Sequence, residues 1–373
     1  MTKRCLLLIS LGFVLIAGAL LIVSILTSQP LYDERIDEES GYEARIADVE
    51  EALTLARFRN GDAIHILLVD DMVGGEVSGI DLSAYSGTQT EDPIELFAQL
   101  GYDALAKAMR DGEAHRTKRP LGDLLVPLIG RERNYAVGFN YKDHAAEVDM
   151  DDPPFVFPKF IQPTSSQARV SCEGIQLMDY EAEVAYVLLE ALDEEDGPPE
   201  YMGMVLANDL TDRWPIVKVH LDDLLGDESD RYPQGTRGYP EGKNREGFLP
   251  LGPFLVIPRD YKEFIPKVEF RLFLNGQMRQ SSALKKSIWG PDRIIDEVFR
   301  RKDWNFRFPH GEYPLLGTQM PALPSGTLLV SGTPEGILLK RTNWWNPWLF
   351  LSGGDEIIIQ SNYLGSMQTT VED

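Results

Sequence analysis

The stretch that most constrains this chain is DYEAEVAYVLLE, Asp179 to Glu190. Its alternation predicts an extended strand, because successive side chains of a strand point to opposite faces. Glu181, Glu183, Ala185 and Val187 share one face, and Ala182, Val184, Tyr186 and Leu188 share the other. The second face is apolar and demands a core to pack on. The first opens with two carboxylates on neighbouring same-face positions, which repel unless a cation sits between them. A solvated strand end fits this pattern. So does a hard-metal site still short of one ligand.

The rest of the chain can supply the core. Its 373 residues, 43% hydrophobic, suffice for one large domain or two. A formal net charge of -23 argues against nucleic acid as a partner, since phosphate binding needs a basic surface. The two cysteines, Cys5 and Cys172, leave no room for a disulfide framework or a cysteine-rich zinc site.

Lys3 and Arg4 precede an uncharged apolar run from Cys5 to Ser28, long enough to cross a bilayer as one helix. A cleaved signal has a shorter apolar core and a small-residue exit; here the exit reads Ser24-Ile25-Leu26-Thr27. An uncleaved single-pass anchor is therefore expected. The alternative is a protein secreted or released to the periplasm after cleavage. Positive charge before the span and acid after it (Asp33, Glu34, Asp37, Glu38, Glu39) put the remainder on the non-cytoplasmic side.

Residues 29–51 read as an acidic linker. Residues 52–127 read as a small region of short strands and turns, with helical spacing from Ile94 to Met109. Residues 128–373 read as a second, larger region. NYAVGFNYKDHAAEVDM starts as a strand and turns near Gly138 into a helix that puts His144 and Glu147 on one face. A carboxylate beside an imidazole orients it and raises its basicity, as a general base for water requires. An exposed helix pair would show the same spacing. The other four histidines, His65, His115, His220 and His310, read as structural or surface residues. YMGMVLANDLTDR is an apolar run ending in Asp209, a third carboxylate; if Asp209 begins a helix, Arg213 shares its face. WPIVKVHLDDLLGDESDRYPQGTRGYPEGKNREGFLPLGPFLV holds a long polar loop and then a strand after Pro250; its GYPEGKN fails as a phosphate loop, one residue short in spacing and with Asn244 where Ser or Thr is needed. Further on come a hairpin turning at Asn275-Gly276, an amphipathic helix in GPDRIIDEVFRR, and GTLLVSGTPEGILL read as strand, turn, strand. The chain holds no GxGxxG, GxSxG or HExxH.

At this point the residues become recognisable. GFNYKDHAAE, FPKFIQPTSS, DYEAEVAYV, NDLTDRW, GKNREGFLPLGPFLV, LNGQ and SGTPEG follow one another in the order seen in the fumarylacetoacetate hydrolase family. The resemblance runs from about Ala56 to the C-terminus. It implies an α+β, β-rich catalytic domain, a mixed β-roll wrapped around the site, and a homodimer. It implies a divalent metal on Glu181, Glu183 and Asp209, water activated by His144 and Glu147, Lys243 as a further catalytic group, and Arg213 and Thr333 holding substrate. Lys159, in FPKFIQPTSS, is carried as a substrate-binding candidate, although a lone lysine in a strand more often faces solvent. All-oxygen ligands suit Mg²⁺ or Mn²⁺, with Ca²⁺ also admitted. The expected activity is hydrolysis of a C–C bond in an acylpyruvate or other β-diketo acid. A 2-oxo acid decarboxylase or dienedioate isomerase on the same site is the alternative, with a non-catalytic tethered binding protein behind it. RTNWWNPWLFLSGG, Arg341 to Gly354, stands outside the family pattern.

Overall fold

The computed structural model describes residues 3–32, 44–148, 153–224, 233–317 and 322–373. The acidic residues 33–43 of the expected linker lie outside them. The fold is mixed α+β and rich in β-structure. Its centre is the strand Ala182–Leu188, with every residue buried. The sequence suggested one packed face, but the strand is interior to a ten-stranded sheet and is covered on both faces. Met202–Asn208 pairs antiparallel on one side and Leu328–Val330 antiparallel on the other. Beyond Leu328–Val330 lie Asn134–Gly138, in parallel, and then Phe155–Lys159. Beyond Met202–Asn208 comes Leu255–Pro258, which pairs with Ala52–Asn60. The strands of residues 52–120 thus continue the sheet that carries Glu183. A second, five-stranded sheet contains Glu269–Leu274, Glu356–Ser361 and Gly365–Glu372. The hairpin between Glu269–Leu274 and Gln277–Ala283 turns where expected. Asn275 and Gly276 both have positive φ, 50° and 78°, as a tight turn matched to strand twist requires.

Several local expectations need correction. The helical spacing of 94–109 resolves into two helices, Pro93–Leu100 and Tyr102–Asp111, broken at Gly101 with φ 76°. Asp209 does not begin a helix: Thr211–Asp212 first pairs with Met178–Asp179, and the helix starts at Arg213. That helix, Arg213–Leu224, occupies the start of the stretch expected to hold a long polar loop, and Ile216, Val217, Leu221 and Leu224 on it line a cavity together with Arg213 and His220. The second strand expected after Val330 is absent. Positive φ at Gly332 and Gly336 instead folds that segment against the site.

The N-terminal apolar run forms a single helix, Lys3–Thr27. Its stretch Ile9–Thr27 is long and apolar enough to cross a membrane. Its C-terminal end is held by the Arg341–Gly354 segment. Thr27 and Thr342 share a hydroxyl hydrogen bond of 2.6 Å, Asn343 Nδ2 donates to Ser28 Oγ at 2.8 Å, and Asn346 Nδ2 donates to Ser24 Oγ at 3.2 Å.

Candidate active site

The carboxylates Glu181, Glu183 and Asp209 meet because of strand register. Ala207 pairs with Glu183 and Asn208 with Ala182, so the next residue, Asp209, arrives opposite Glu181. All three are buried, and each offers an oxygen within 4.8 Å of the others. The Gly332 N–H donates to Glu183 Oε2. Burial first, and then Asp209 and Glu181 beside it, push the Glu183 carboxyl well above its usual range. A hard divalent cation among these oxygens would remove that repulsion and is matched to an all-oxygen donor set. The residues present therefore fit such an ion.

Three cations of the chain also crowd the cluster. Lys243 Nζ donates to Glu181 Oε2 and, at 2.8 Å, to Asp209 Oδ2. Lys159 Nζ lies 2.6 Å from Asp209 Oδ1 and is fully buried, not the surface lysine its position suggests. Burial lowers the Lys159 ammonium to about 8, against the opposing pull of Asp209. Burial would raise Glu181, but Arg213 and then Lys243 outweigh it and hold its carboxyl below the usual range. Arg213 forks between two acids, with Nε donating to Asp179 Oδ2 at 2.9 Å and Nη2 to Glu181 Oε1 at 2.6 Å.

The short helix Lys142–Glu147 carries the expected pair, with His144 buried and Glu147 half-buried. His144 Nδ1 stands 3.5 Å from Glu147 Oε2, close enough for charge to orient the ring but long for a hydrogen bond. Glu147 also accepts the Gly336 N–H at 3.0 Å and is ion-paired with Lys340. Burial lowers His144 to about 4, so the imidazole is neutral at pH 7 and able to take a proton. Phe139, just before this helix, is a buried aromatic residue at φ 57°, a costly backbone conformation beside the site.

A cavity of about 520 Å³ brings the groups together. His144, Glu181, Arg213, Lys243 and Thr333 line it, as does His220, which read as a surface residue. Thr333 Oγ1 donates to the Ala182 carbonyl at 3.2 Å and accepts from Gln280 Nε2 at 2.9 Å. Sequence reasoning missed Asp179, Gln280 and Lys340. Asp179 opens the very stretch that was read for its glutamates, and its buried carboxylate also accepts the Leu338 N–H at 2.9 Å.

The fold and the site define a β-rich scaffold with a buried acidic triad and a histidine–glutamate pair, joined by a cavity that Glu181 and His144 line. The sequence pattern described as fumarylacetoacetate (FAA) hydrolase C-terminal matches residues 133–372, and the chain belongs to that family. It is 28% identical over 335 residues to the mitochondrial oxaloacetate tautomerase of Xenopus laevis, covering 86% of this chain and 90% of that one. It is 25% identical over 299 residues to the 2,4-didehydro-3-deoxy-L-rhamnonate hydrolase of a Sphingomonas species, covering 77% and 87%. Among solved structures it resembles an HpcE-type protein of Mycobacterium smegmatis, with TM-score 0.57, 22% identity, and coverage of 86% of this chain and 99% of that one. It also resembles the fumarylacetoacetate hydrolase of Exiguobacterium antarcticum, with TM-score 0.56, 20% identity and the same coverage. These two likenesses speak to the fold.

Proposed function

We propose that the chain is a divalent-metal-dependent hydrolase that cleaves a C–C bond in an acylpyruvate-like diketo acid. One observation carries the reading: a buried His144 beside Glu147 lines the same cavity as Glu181, one of the three clustered carboxylates. When bound on Glu181, Glu183 and Asp209, Mg²⁺ or Mn²⁺ supplies a Lewis acid for two substrate oxygens and for enolate charge. His144 takes a proton from water, with Nδ1 turned to Glu147 and Nε2 left as the acceptor. Glu147 stabilises the imidazolium that forms. Lys243 offers positive charge to the electron-rich end of the substrate, and Arg213, tethered by Asp179, fixes Glu181 and presents its guanidinium at the cavity wall. Thr333, locked by Gln280, orients a substrate oxygen, and Lys159 holds Asp209 in place.

A second reading keeps the site but drops the attack by water. The likeness to an oxaloacetate tautomerase across 90% of that protein favours keto–enol isomerisation of a 2-oxo acid, with His144 moving a proton between carbon and oxygen. Turnover of 3-acylpyruvates, oxaloacetate and dienedioates with Mg²⁺ or Mn²⁺ decides between the two. Acylpyruvate cleavage lost in His144→Ala supports hydrolysis; tautomerisation of oxaloacetate without cleavage of any acylpyruvate replaces it.

The chain is further proposed to be a homodimer, and a single-pass membrane protein with its catalytic domain on the non-cytoplasmic side. The helix Lys3–Thr27 supports the anchor through its length and its nearly continuous exposed apolar surface. Lys3 and Arg4 at its start support the orientation.

A further inference from the structure

The helix Arg213–Leu224 does more than deliver Arg213. Arg213, Ile216, Val217, His220, Leu221 and Leu224 all line the cavity, at the spacing of one helix face. At about 1.5 Å per residue this stripe runs about 16 Å from the carboxylates. Exposure rises along it, from 4% at Arg213 through 9% at Val217 to 70% at Leu224. The cavity is thus charged where it meets Glu181, and the helix wall beyond Arg213 is apolar except for His220, with Lys340 and Arg341 also among the lining residues. A short dicarboxylic acid would fill only the charged end and leave the apolar stripe facing water.

Trp344 lines the same cavity. Its neighbours Thr342, Asn343 and Asn346 make the hydrogen bonds that hold the end of the apolar helix. Trp345 and Trp348 on the same turn are 38% and 85% exposed, as interfacial aromatic residues are. One short segment thus lines the cavity through Trp344 and holds the end of the apolar helix through Thr342, Asn343 and Asn346.

We propose that the substrate is an amphiphile: a 3-acylpyruvate whose acyl group is a long unbranched alkyl chain. Its diketo-acid head sits at the carboxylate cluster, and its tail lies along Val217, Leu221 and Leu224. The inference rests on the hydrolase reading for its chemistry and on the apolar stripe for its tail. The bond broken joins the acyl carbonyl carbon to C3 of the pyruvate unit. The hydroxyl of water goes to the acyl carbon, and the electron pair and a proton go to C3. The products are a long-chain carboxylic acid and pyruvate.

The test is a chain-length series of acetyl-, hexanoyl- and dodecanoylpyruvate with the full-length, Mn²⁺-loaded protein. It is paired with calorimetric binding of pyruvate and 2-oxododecanoate to the His144→Ala protein. Both kcat/KM and affinity are expected to rise by up to about fourfold per buried methylene until the cavity is full. Leu224→Glu, at an exposed position, should collapse the ratio of dodecanoyl to acetyl turnover, and Leu221→Glu provides a second variant if the first fails to fold. Equal kcat/KM across the series with equal binding of the two oxo acids overturns the tail and leaves the hydrolase standing. Chain-length-dependent binding with no cleavage of any acylpyruvate overturns the hydrolase and leaves the tail standing.

Discussion

Asp209 donates its backbone N–H to the Glu181 carbonyl at 2.9 Å, one step past the last paired residues of their strands. That bond sets the third carboxylate opposite the first, and the triad is therefore a product of sheet register. A one-residue slip would turn Glu183 to the other face of the sheet. The site and the core share one determinant.

Glu183→Gln keeps the shape of the side chain and removes a charge that its neighbours already oppose. The metal-free protein should melt at an unchanged or slightly higher temperature. Divalent-ion affinity should fall by at least about 100-fold, beyond what loss of an outer partner costs. Calorimetric titration with Mn²⁺ reads the affinity, and unaltered binding would remove Glu183 from the ligand set.

His144→Ala should lower kcat by about 10²- to 10⁴-fold, the usual range for a general base, with Mn²⁺ affinity preserved. Steady-state kinetics beside the same titration separates the two effects. Near wild-type turnover would take the proton-transfer role away from His144.

Burial holds His144 at about 4, so the group is neutral down to mildly acid pH. The acid limb of kcat/KM should therefore fall near pH 4 and not near the 6.5 of a free imidazole. The sign for stability follows from linkage. The unfolded chain protonates His144 before the folded one does, so its contribution is complete above about pH 6.5 and is lost as pH falls toward 4. Denaturant titrations at pH 7 and pH 5 should show a smaller drop for His144→Asn than for the wild type.

Arg213→Met removes the ion-pair partner of buried Asp179 and one of the two cations on buried Glu181, which keeps Lys243. Breaking a buried pair on one side costs about 3–5 kcal/mol, and more than one pair is broken here. Urea unfolding should register a loss of at least that size. A change below about 1 kcal/mol would mean that the carboxylates find other cations.

In intact cells, external protease should digest the catalytic domain, and alkaline carbonate should leave the full-length protein with the membranes. A protein that washes off, or a domain protected with the cytoplasm, contradicts the proposed topology.

Much of the site was legible because chain-local patterns carried it. Glu181 and Glu183 share a strand face, and His144 and Glu147 share a helix face; both patterns lie within a few residues. The burial of Lys159 is hard to read from sequence because it depends on Asp209, fifty residues away and brought near only by sheet pairing. Lys340 was invisible for the same reason, since its partner Glu147 lies on another element. The helix Arg213–Leu224 is hard to read from sequence because its weak amphipathic pattern makes sense only once the cavity it lines exists.

The sheet has a consequence for how the chain folds. Ala52–Asn60 forms a hairpin with its immediate successor, but its other edge pairs with Leu255–Pro258, almost two hundred residues later in synthesis. Until that segment emerges, a strand of apolar residues keeps an open row of N–H and C=O groups. Contacts this distant in sequence slow folding and lengthen the time during which such an edge can recruit the wrong partner. A nascent chain truncated before Leu255 should aggregate through this edge.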